Sequence, residues 1–202
     1  LQSLSMCDGY NRPLDFPLPD ALTTLVVGRT FDHVLPSRLP SSLQVLEVGE
    51  YFHTYPLPNL PASLRSLRMK CCQWYDHPFL EPLPVSLRVL ELGPSFDQVL
   101  PTPLPPSLER LCVGWRFFEP LPPLPDSLRT LVLGRCFNQP LVGPLPSSLE
   151  WLETGAAYSC PLPDPLPPSL RTLRLGESFS HSIPGGHTAT IERVQPFRIR
   201  CS

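Results

Sequence analysis

Apolar residues recur in a fixed phase along this chain. The phrase is Leu-Pro-x-Ser-Leu-x-x-Leu-x-Leu-Gly-x-x-Phe, followed by a proline-rich stretch that leads into the next copy. Its Leu-Pro anchors begin at Leu18, Leu39, Leu60, Leu83, Leu104, Leu124, Leu145 and Leu166, at steps of 21, 21, 23, 21, 20, 21 and 21 residues. A period this short and regular predicts a solenoid whose copies pack mainly on their neighbours. In Leu128-x-x-Leu131-x-Leu133 the last two leucines are two apart and share one face of a strand, so Thr130 and Val132 point outward. Gly134 ends the strand, where a residue free to take positive φ is expected to turn the chain, and Phe137 and Leu141 are the next inward anchors. A coil must close in about twenty residues, and Pro140, Pro144 and Pro146 oppose a helix in the remainder. The expected fold is mainly β: a parallel β-solenoid of about nine 20–23-residue repeats with a Pro-rich, extended return side and few or no helices. At about 4.8 Å per strand, such a stack is ~40 Å long.

Three further columns keep the period. Tyr10, Phe31, Phe52, Tyr75, Phe96, Phe117, Phe137, Tyr158 and Phe179 form an aromatic column, with Tyr75 displaced by a two-residue insertion around Cys71 to Trp74. Its phase is that of the core, which argues for stacked core rings over a ligand platform. Serines precede seven of the strands, from Ser42 to Ser169. No His or Asp shares their period, so they are assigned to backbone hydrogen bonds at the turn and not to a nucleophile. His33, His77 and His181 share a phase in distant copies and are expected as solvated loop histidines.

Leu1, Leu4, Met6 and Tyr10 fit the repeat with the chain starting inside it. The expected organisation is a repeat solenoid over residues 1–186, its first repeat truncated, and a degenerate C-terminal capping repeat or tail over 187–202. A last strand is expected near Ile191–Gln195, with Arg193, Arg198 and Arg200 making its outside polar.

Composition then narrows the function classes. Proline is 30 of 202 residues, a level that suggests disorder in other chains, but here prolines hold phase against leucines. A net charge of −2 provides no electrostatic footprint for nucleic acid or a membrane surface, and no apolar run is long enough for a transmembrane helix. The seven cysteines lack zinc-site spacing and are expected as free thiols of a cytoplasmic protein. Neither a metal nor a cofactor is expected.

The outward strand positions are where a partner could bind. One column runs Ser5, Val26, Glu47, Arg68, Glu91, Cys112, Val132, Glu153, Arg174, and the column before the strands runs Gln2, Thr23, Gln44, Arg65, Arg88, Glu109, Arg129, Glu150, Arg171; signs alternate over Glu47, Arg68 and Glu91 and over Glu109, Arg129, Glu150 and Arg171. Their alternating signs suggest charge pairs that set register between coils. What alternation leaves unexplained is the uncharged patch of Val89, Cys112, Thr130, Val132 and Trp151, flanked by Arg110, Glu153 and Arg174. These eight residues are the candidate partner-binding site, because Trp is enriched at interface hot spots. The competing account lays Trp151 flat over its neighbours.

The copies resemble the FNIP repeat, a leucine-rich-repeat-like family best known from slime moulds, giant viruses and other protists. Phe137-Asn138-Gln139-Pro140 matches the Phe-Asn half of its Phe-Asn-x-x-Ile-Pro-x-Gly phrase, and Phe179 with Ile183-Pro184-x-Gly186 the other half. Elsewhere Asp32, His53, Asp76, Asp97, Phe118, Ser159 and Ser180 replace the Asn. The resemblance implies a leucine-rich-repeat solenoid without catalytic residues, acting as a protein-interaction surface, compatible with the recognition arm of a larger protein. A short bacterial effector repeat shares Leu-Pro-x-Ser-Leu, but the Gly-x-x-Phe after the strand favours the first family. The alternatives in other classes are the substrate-receptor region of an effector-type ubiquitin ligase and a purely structural repeat protein.

Overall fold

The computed structural model describes residues 1–69, 71–185 and 188–193. Each repeat contributes one short strand: β1 Ser3–Ser5, β2 Thr24–Val26, β3 Val45–Glu47, β4 Ser66–Arg68, β5 Val89–Glu91, β6 Arg110–Cys112, β7 Thr130–Val132, β8 Trp151–Glu153, β9 Thr172–Leu175 and β10 Thr190–Arg193. They form one parallel ten-stranded sheet in strict chain order, and no helix occurs among the described residues. The strand expected near Ile191–Gln195 is thus β10, one residue earlier at its start; Gln195, Arg198 and Arg200 lie outside the described residues.

Both fixed phrases of the repeat are tight turns. In Leu-Pro-x-Ser-Leu, the second Leu amide donates to the Pro carbonyl three residues back at 2.9–3.0 Å, as Leu128 does to Pro125. In Gly-x-x-Phe, the Phe amide returns to the Gly carbonyl, as Phe137 does to Gly134 at 3.2 Å. Two turns flanking a three-residue strand leave the proline-rich return to close the coil without a helix.

The glycine column has a different cause from the one expected. Among the described residues only Gly143 has positive φ, at 81°. Gly134 is needed because a Cβ there would overlap the carbonyl oxygen of Gly114 one coil back, and the same overlap repeats along the column. The constraint is backbone approach between coils, not chain reversal.

The core between coils is continuous. Leu25, Leu46, Leu67, Leu90, Leu111, Leu131, Leu152 and Leu173 are all 0% exposed. Along the aromatic column successive rings lie 5.9–6.4 Å apart with interplanar angles of 4–17°, which makes it part of the core. The Tyr75 hydroxyl accepts the Leu57 amide at 3.1 Å, and burial pushes its phenol up to about 12.

Polar side chains tie coil to coil. Ser42, Ser63, Ser86, Ser127, Ser148 and Ser169 each donate to the carbonyl of the second Leu of the Leu-Pro-x-Ser-Leu phrase one coil back, at 2.6–2.9 Å. The serines therefore stitch neighbouring coils, beyond the local turn role expected of them. The Asn position of the family phrase does the same from another side. Asn11, Asp32, Asp76, Asp97 and Asn138 accept the backbone amide of the next coil at 2.8–3.0 Å. Only an acceptor is required, which is why Asp replaces Asn freely. The histidines lie on solvent-accessible loops as expected, and each is also tied to the coil before it. His77 and His181 bond a carbonyl of the preceding coil at 2.8 Å and His33 at 3.2 Å, each with its ring edge-on to the aromatic two residues before it.

The Gly134→Ala variant is expected to lose on the order of 3 kcal/mol or more, because carbonyl backbone cannot move aside. Gly9→Ala, with nothing within 4 Å of the new Cβ, should stay within about 0.5 kcal/mol of the parent. Thermal melting of both variants checks this; equal effects would contradict it.

Candidate interaction surface

Parallel pairing without slippage sets the outward strand positions side by side. Arg110, Thr130, Trp151 and Thr172 are consecutive neighbours in one column, and Glu91, Cys112, Val132, Glu153 and Arg174 in the other. Val89 pairs with Arg110, so all eight residues singled out from the sequence lie on one continuous surface across β5–β9. All eight are half-buried.

Trp151 does not stand free. The Arg174 guanidinium lies over its ring at 5.2 Å from the centroid, while Arg174 also meets Glu192 at 2.6 Å and Glu153 at 3.5 Å. The indole is packed under a tethered cation, with one edge left at the surface. Cys112 is similarly enclosed. Burial pushes its thiol up to about 11, against the pull of the Arg110 guanidinium, so it is a small apolar side chain here and not a nucleophile.

The surrounding charges largely cancel in pairs. Arg88 meets Glu109 at 2.8 Å, Arg129 meets Glu150 at 2.6 Å, and Arg171 approaches Glu150 at 3.7 Å. Glu91, only 8% exposed, is held between Arg110 at 2.9 Å and Arg68 at 3.8 Å. Pairs this exposed are worth little each, but like charges set opposite would be unfavourable, so a one-coil slip is disfavoured. Among the described residues no three His, Cys, Asp or Glu side chains gather as a metal site. No helix among them is long and apolar enough to cross a membrane.

A second exposed strip was not foreseen from the sequence. Beyond the strand ends, Tyr51, Trp74, Trp115 and Phe118 are 40%, 58%, 37% and 52% exposed. Arg29 covers Tyr51 and Arg135 covers Trp115, at 5.9 and 5.8 Å from the ring centroids. Trp74 was within reach of sequence reasoning, since it sits in the one insertion of the repeat. The other three share no column, and no periodic signal marks them.

The geometry defines a leucine-rich-repeat-like parallel β-solenoid, a fold that typically presents one extended face to protein partners. The FNIP Repeat model matches residues 119–156 and 137–178, so the chain carries FNIP repeats within this architecture. Among solved structures, one described as CroV588, a novel circular LRR protein structure, aligns with a TM-score of 0.76 at 33% identity, over 90% of this chain and 28% of that one. YopM from Yersinia enterocolitica WA-314 aligns with a TM-score of 0.59 at 24% identity, over 89% of this chain and 43% of that one, a likeness of fold. The chain thus spans less than half the length of either. No curated protein matches it significantly.

Iodoacetamide at pH 8 is expected to alkylate the exposed Cys71 and Cys136 at least about tenfold faster than Cys112. Mass mapping of a labelling time course reads this, and equal rates would show that the patch around Cys112 is open.

Proposed function

We propose that this chain is a non-enzymatic scaffold that binds a protein partner through the outward strand face, serving as the recognition arm of a larger protein. The observation that supports this most is the uncharged surface of Thr130, Cys112, Val132 and Trp151, set on a face where neighbouring charges such as Glu91 and Arg110, or Arg129 and Glu150, are held in ion pairs. Every fixed residue of the repeat already has a scaffold role, as core, turn or tie between coils. Only the variable outward positions remain free to specify a partner. An aromatic at the centre of a water-excluding rim is the arrangement in which a few residues carry most binding energy.

A photo-crosslinking residue at Thr130 should capture a partner that the same residue at Pro123, on the return side, does not. Once that partner is purified, Trp151→Ala should weaken its binding by about tenfold or more. Equal capture from both sites, or undiminished affinity of the Trp151→Ala variant, would overturn the proposal.

A further inference from the structure

In the column that precedes the strands, the ion-pair pattern fails at Arg65. Signs alternate there from Arg88 onward, but Arg65 has uncharged Gln44 on one side and like-charged Arg88 on the other. Arg88 is already held by Glu109 at 2.8 Å. Arg65 is exposed and has no ion-pair partner among the described residues. Two positions past Ser66, Arg68 reaches Glu91 only at 3.8 Å, because that carboxylate turns to Arg110 at 2.9 Å. Adjacent coils therefore set Arg65, Arg68 and Arg88 near one another; Arg68 has Glu47 beside it in the ladder and Arg88 has Glu109, which leaves Arg65 as the cation without a partner among the described residues.

Between Arg65 and Arg68 stands a second anomaly. Ser66 faces outward, in register between Val45 and Val89, and is 8% exposed. Its Oγ is the one buried side-chain polar atom without a hydrogen-bond partner among the described residues. A buried hydroxyl left unpaired is unfavourable, and here it follows directly in the chain on an arginine without an ion-pair partner among the described residues. A carboxylate supplies what both lack: an acceptor for the Ser66 hydroxyl and charge for the planar, donor-rich guanidiniums.

Resting on the strand-face reading above, we propose that Arg65, Ser66, Arg68 and Arg88 form a recognition site for a carboxylate-rich segment of the protein partner. The site lies on the coil that also carries the insertion of the repeat and its exposed Trp74. The features that break the repeat thus fall together on the coil where Arg65 has no ion-pair partner among the described residues.

Calorimetric titration of the full chain with an octaglutamate peptide tests this. The peptide should bind saturably, octalysine should not, and the Arg65→Gln/Arg88→Gln double variant should weaken octaglutamate by about tenfold or more. Arg12→Gln/Arg38→Gln removes the same charge elsewhere and should leave binding unchanged. Ser66→Ala should weaken the peptide while raising the melting temperature of the free chain, a combination that a diffuse charge effect does not produce. Absence of saturable binding, or equal weakening by the two arginine pairs, would overturn the site. Trp151→Ala should leave octaglutamate binding intact. If octaglutamate fails while that variant still loses the crosslinked partner, the anion site is wrong and the strand-face reading stands. If octaglutamate binds as expected while that variant keeps the partner at full affinity, the strand-face reading is wrong and the anion site stands.

Discussion

Everything in this molecule depends on how closely the backbone of one coil lies against the next. Parallel strands fix that separation at about 4.8 Å along the sheet. At the strand ends the approach leaves no room for a Cβ, so Gly114 and Gly134 lie with the carbonyl of one under the α-carbon of the other. Whatever projects along the stack must then be flat, short or bridging. Parallel rings satisfy the first condition, the serine hydroxyls the second, and the Asn or Asp side-chain oxygens the third. No coil of about twenty residues can bury its leucines alone, and stability is shared between neighbours.

This explains why so much of the fold was legible in the chain. A leucine at 0% exposure, such as Leu131, and a ring such as Phe137 must recur in one phase, because the stack repeats the same environment every coil. Contacts between coils were harder to foresee. Gly134 is compatible with both a positive-φ turn and a close approach, and only the three-dimensional distance to Gly114 decides between them. His77 looks solvated in sequence because its partner, the His53 carbonyl, is 24 residues away. The candidate surface had the same character. The columns containing Thr130 and Trp151 could be written out from the period alone, while the Arg174 guanidinium over the indole depends on rotamers that no spacing encodes.

The same constraint separates scaffold from recognition. Fixed positions are consumed by turns, core and ties, and neighbouring charges on the strand face are largely consumed by each other. Variation is tolerated only where a side chain points away from the stack, which is also where a partner can touch it. Departures from the repeat are informative for this reason. Arg65, without an ion-pair partner among the described residues, and the orphaned Ser66 hydroxyl stand out against pairs such as Arg88 with Glu109 one coil on.

The central claim is that coils are locked by three ladders acting together: the strand bonds, the bonds after the glycine, and the side-chain ties. Residue-resolved hydrogen exchange addresses it directly. In the central coils, the amides of Leu131, of Cys136 (to Trp115 at 2.9 Å) and of Ser159 (to Asn138 Oδ1 at 2.8 Å) should show protection of similar size, lost together as coils separate. Strand amides that stay protected while Cys136 and Ser159 exchange like an open loop would contradict the account.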